Sequence, residues 1–79
     1  NGWTNYATWR INLEIIDGIE FEVKTCAATI QEIVEDVVFS QHELGGGSRL
    51  VYDYARAFIS EVNFYEIAES INERLDEQD

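Results

Sequence analysis

No proline interrupts this chain, and from Thr25 onward its apolar residues recur at the three- and four-residue spacing of helices. Thr25 to Phe39 carries Ala27, Ile30, Val34, Val37 and Val38 on one face, with Glu32, Glu35 and Asp36 opposite. "SQHELGGGS" reads as a loop whose Ser48 caps the next helix, "RLVYDYARAFISEV". That helix is expected to bury Val51, Tyr54, Ala55, Phe58 and Val62, with Arg49–Asp53 and Asp53–Arg56 pairs on its polar side. Asn63-Phe64-Tyr65-Glu66 opens the last helix as a variant capping box, Asn as cap and Glu at N3. Phe64, Ile67, Ala68, Ile71 and Leu75 form its apolar stripe, and the tail "RLDEQD" is expected to fray.

The stretch before Thr25 has two readings. As a helix from Asn5 to about Asp17, it places Tyr6, Trp9, Leu13 and Ile16 on one stripe, Asn5 as N-cap and Gly18 as C′ residue. Ile11 and Ile15 then fall on a second side, which requires burial on two faces. As a hairpin, a two-residue Asp17-Gly18 turn sets Leu13 against Glu22, and that register fails. A three-residue loop, Ile16-Asp17-Gly18, pairs Leu13 with Phe21 and Ile11 with Val23, and that register works. Periodicity alone leaves both open.

At 79 residues the chain makes one domain, residues 1–79, just large enough for a single core. An apolar fraction of 46% with ten aromatic residues argues for a folded protein. Sixteen Asp and Glu against five Lys and Arg give a formal charge of −11, which repels DNA, RNA and anionic membranes. Basic protein surfaces are the favoured partners, with salt-sensitive binding. Cys26 is single, so no internal disulfide forms. No basic, apolar leader opens the chain and no apolar run approaches the ~18 residues of a membrane span, so a cytoplasmic location is expected.

Two motifs then stand out. "NYATW" at residues 5–9 and "EVNFYEIAESINE" at 61–73 resemble a group of short proteins encoded by phages, plasmids and integrated elements. Those proteins carry Asn-Tyr-x-Thr-Trp near the start and a Trp/Phe-Tyr-Glu-Ile-Ala-Glu helix near the end. The similarity covers both ends well and the middle poorly. Asn5, Tyr6, Thr8 and Trp9 are intact, and Ala7 stands where Glu is common. The resemblance implies a mobile-element context and a helix opening at "NYATW", with no shared activity. It favours an all-α bundle of about four helices, with Ile19 to Lys24 irregular or extended. The alternative is α+β, an N-terminal β-hairpin packed on three helices.

Catalytic chemistry finds little support. His42 stands beside Glu43 in the expected loop and reads as an exposed loop histidine, and Cys26 reads as a small core residue at the start of a helix. One His and one Cys match no metal-ligand spacing. "GGGS" at 45–48 lacks the Lys of a phosphate loop, although Arg49 follows it. "DGIEFE" has too few ligands for a calcium loop. A binding protein, neither enzyme nor cofactor carrier, is expected.

Aromatic residues at helical spacing (Trp3, Tyr6, Trp9, Tyr54, Phe58, Phe64, Tyr65) read mainly as core, with Trp3 and Tyr65 as candidate exposed anchors. The strongest remaining signal is acidic. Glu66, Glu69, Glu73, Asp76 and Glu77 fall within about 100° on a helical wheel, and Glu32, Glu35 and Asp36 make a second edge. Like charges four apart, such as Glu69–Glu73, cost a few tenths of a kcal/mol, so helix stability does not explain them. Solubility does, and so does imitation of nucleic-acid phosphates before a basic cleft. With the mobile-element context, the expectation is an inhibitor of a host nucleic-acid-binding defence complex, of anti-CRISPR or anti-restriction type. These nine residues, Tyr65 included, are its candidate partner-binding set. The alternative is an accessory protein acting as a homodimer.

Overall fold

The computed structural model describes residues 2–43 and 48–77. Among these described residues four helices follow in order: α1 (Tyr6–Ile11), α2 (Ala27–Glu43), α3 (Arg49–Ile59) and α4 (Phe64–Glu77). A π-helical turn, Asn12–Ile16, continues α1 directly. The fold is a small all-α bundle. Among the described residues there is no strand, so the hairpin is not adopted.

Why helix prevails at the start is visible in its cap. Asn5 is extended, and its Oδ1 accepts from the Thr8 main-chain N–H at 2.9 Å. The π turn then resolves the two-faced problem. Residues five apart stand about 140° apart on an α-helix. The Asp17 N–H bonds to the Asn12 carbonyl, five residues back, at 2.8 Å, which widens the turn and swings Ile16 towards the Ile11 face. Ala7, Thr8, Ile11 and Ile16 are buried there, whereas Tyr6 and Leu13, expected inside, are exposed and Trp9 is half-buried. Gly18 does not take the left-handed C′ conformation. The chain leaves through a turn closed by the Ile19 N–H on the Ile16 carbonyl at 2.9 Å.

Residues 19–26 run irregularly and are pinned to α4 by one side chain. Asn72 accepts from the Thr25 N–H at 2.8 Å and donates to the Thr25 carbonyl at 2.9 Å, as a neighbouring strand would. Lys24–Asp76 adds an exposed ion pair at 2.9 Å.

Helices α2 and α4 pack together and supply most of the core, with Ile30, Val34, Ile67 and Ile71 at its centre. Helix α2 starts two residues later than expected and runs on to Glu43, so His42 lies in its last turn and not in a loop. Val37, expected on the buried stripe, is exposed. Gly45 to Gly47 lie outside the described residues, but Ser48 caps α3 as expected, accepting from the Val51 N–H at 3.2 Å. Helix α3 buries part of its expected face: Ala55 and Phe58 pack against the core and Val62, just past the helix end at Ile59, is buried, joined by the buried Ile59 and half-buried Tyr52, while Val51 and Tyr54 are exposed. Helix α4 follows its expected stripe throughout.

Candidate functional site

Nine residues were expected to meet a partner, and their helices place them differently. Glu66 is turned into the molecule. Both its carboxylate oxygens accept from the Thr4 main-chain N–H, at 3.0 and 3.2 Å, which ties the N-terminal segment to α4. Its own main-chain N–H donates to Asn63 Oδ1 at 3.0 Å, the cap half of the expected box. The other half is supplied from elsewhere: the Asn63 N–H donates to Thr8 Oγ1 at 2.8 Å. Thr8 is fully buried, and its hydroxyl donates to Asn5 Oδ1 at 2.7 Å. Asn5 Nδ2 in turn donates to the Glu61 carbonyl at 2.8 Å. The "NYATW" and "EVNFYE" motifs thus interlock, each completing the other's helix start.

Glu32, Asp36, Glu69, Glu73, Asp76 and Glu77 are exposed on α2 and α4, whereas Glu35 is half-buried and faces Arg56 of α3. Tyr65, Glu69, Glu73 and Asp76 border a recess of ≈ 360 Å³ with Thr25, Cys26 and Asn72. Tyr65 is 67% exposed, and hydrogen bonding to the Glu69 carboxylate, then its charge, raises the phenol's pKa. Glu77 is exposed in the last turn of α4. Cys26 is exposed, not a core residue, because it caps α2: the Ile30 N–H bonds its carbonyl at 3.1 Å. A 3.4 Å contact between its thiol and the Thr29 hydroxyl, joined by the first-turn main-chain N–H groups, lowers its pKa.

Glu32, Glu35 and Asp36 line a separate open groove of ≈ 550 Å³ between α2 and α3. Its lining includes Phe39, Tyr52 and Arg56, none of them among the expected partner-binding residues. The rings of Phe39 and Tyr52 lie 5.0 Å apart, and the Arg56 guanidinium sits 5.1 Å and 5.8 Å from their centroids. Arg56 also approaches Glu35 to 3.9 Å, in place of the expected Asp53 contact. A carboxylate beside two rings is a cation-binding arrangement, and two of the chain's own guanidiniums already use it: Arg56 lies over both rings and Arg49 lies 5.7 Å from the Tyr52 centroid. Phe39 and Tyr52 come from different helices across residues 44–47, so no sequence spacing announces the pair.

Charge is divided unevenly among the helices. Helix α2 has four acidic residues and no Lys or Arg; α4 has five and Arg74 alone. On α1 with its π turn, Arg10 and Glu14 form an ion pair, and α3 carries Arg49, Asp53 and Arg56. Trp3, a candidate anchor, is half-buried against the core. Among the described residues no cluster of His, Cys, Asp and Glu is placed to hold a metal ion, and no helix is long and apolar enough to cross a membrane. No family model, curated protein or solved structure matches the chain.

Proposed function

We propose that this protein is a non-catalytic binding protein of a phage or related mobile element, acting in the host cytoplasm on a basic protein surface. The partner is a nucleic-acid-binding defence complex of the CRISPR or restriction type, whose cleft the carboxylates of α2 and α4 occupy in place of phosphate. The observation that carries this reading is the segregation of charge. Acidic residues accumulate on the outward sides of two packed helices with one Arg between them. Beyond the Lys24–Asp76 and Arg56–Glu35 pairs the fold gains little from that accumulation, since exposed like charges at helical spacing repel. Glu32, Asp36, Glu69, Glu73, Asp76 and Glu77 supply the charge, and Glu35 a cation-binding groove. Tyr65 supplies an exposed ring at the edge of the α4 row. Glu66 belongs to the scaffold.

The test is capture of a partner from host lysate on the tagged protein, followed by a salt gradient and by competing duplex DNA. The reading expects a nucleic-acid-binding protein that elutes with rising salt and is displaced by the DNA. A partner retained at high salt and indifferent to DNA would overturn it.

A further inference from the structure

Two apolar patches, which include Tyr6, Leu13, Val51 and Tyr54 of the stripes that the sequence marks for burial, are left uncovered, and they meet. On α1, Tyr6 (58% exposed) and Leu13 (50%) flank the half-buried Trp9. On α3, Leu50 (64%), Val51 (60%) and Tyr54 (70%) lead to the half-buried Phe58. The edge of Phe58 meets Tyr6 with ring centroids 6.3 Å apart, so the stripes join into one face. Taking roughly 150–200 Å² for a ring residue and less for Leu or Val, the exposed parts present on the order of 500 Å². A specific interface needs about 1,000 Å² in total, half from each side.

We infer that this face is a self-association surface, and that its occupant is the same face of a second copy. Electrostatics favours a second copy. Two chains of charge −11 repel wherever α2 or α4 approach, but the α1–α3 face is nearly neutral. Arg10 is paired there with Glu14, and Arg49 with Asp53 at 3.1 Å. Tyr6 is also held in place, its hydroxyl accepting from Arg10 at 2.7 Å. Two copies related by a two-fold axis bury the same residues on both sides and leave the acidic helices outward. The inference stands independently of the partner proposed above.

The experiment is sedimentation equilibrium of the purified chain from low micromolar to millimolar concentration, at low and at high salt. The expected result is a mass rising to twice that of one chain, with tighter association at high salt, where repulsion between the chains is screened. Tyr54→Glu and Tyr54→Lys are each expected to give a monomer of unchanged helical content. Val23→Glu, a change at an exposed apolar residue off this face, is expected to leave the dimer intact. A chain that stays monomeric throughout, a dimer weakened by salt, or Tyr54 variants that still dimerise would each overturn the inference.

Discussion

The hydroxyl of Thr8 accepts from the Asn63 main-chain N–H at 2.8 Å and donates to Asn5 Oδ1 at 2.7 Å, joining the start of α1 to the start of α4. Fifty-five residues separate the two partners in the chain. Thr8→Val keeps the shape and removes both bonds, leaving a main-chain donor unpaired in a part-buried site. The expected loss is about 2–3 kcal/mol, read by urea unfolding. Thr8→Ser, which keeps the hydroxyl, is expected to cost about 1 kcal/mol, the value of one methyl group. Equal losses in the two variants would mean that packing, and not the bond, holds the ends together.

Asn72 does for residues 19–26 what Thr8 does for the helix starts. Asn72→Ala removes both bonds to Thr25 and is expected to cost about 1–2 kcal/mol. Exchange of the Thr25 amide hydrogen should speed up well ahead of those in α2. Lys24→Ala breaks only the exposed ion pair with Asp76 and should stay within about 0.5 kcal/mol of the parent.

The Cys26 thiol ionises more readily than an ordinary cysteine, because Thr29 and the first turn of α2 hydrogen-bond its thiolate. The rate of alkylation against pH is expected to turn over below the range of an unstructured cysteine peptide. Thr29→Ala should move the midpoint upward. An unmoved midpoint would remove Thr29 as the cause.

Tyr65 shifts the other way. Bonded to Glu69, its phenol holds its proton to higher pH than a free tyrosine. Glu69→Gln is expected to lower the pKa in an absorbance or NMR titration, since the charge that opposes phenolate formation is gone.

Much of this architecture was legible in the residues. The caps Asn5, Ser48 and Asn63 each accept from a first-turn N–H as their types require, and the α4 stripe is buried as spaced. What the sequence did not disclose has two physical origins. Helices α1 and α3 are apolar on more than one side, so periodicity could not say which side the core would take. It chose Tyr6, Leu13, Val51 and Tyr54, all of which remain outside. A π turn also changes helical phase without a sequence signature, and Ile16 joins Ile11 only through it. At the acidic site the wheel grouped Glu66 with Glu69 and Glu73 correctly in angle. It could not foresee that Thr4, at the other end of the chain, would engage Glu66.

The central claim, that the outward carboxylates serve a partner at some expense to the fold, is tested most directly by reversing them while sparing Glu66. The measurement compares partner capture and thermal unfolding of the parent with those of a Glu32→Lys, Asp36→Lys, Glu69→Lys, Glu73→Lys variant. The account predicts a folded protein of about the parent's stability that captures no partner, because each reversed residue still faces a like charge four positions away while Glu35, Asp76 and Glu77 become neighbours of opposite charge. A variant that captures the partner as the parent does would contradict it, and would leave the carboxylates as a solubilising surface.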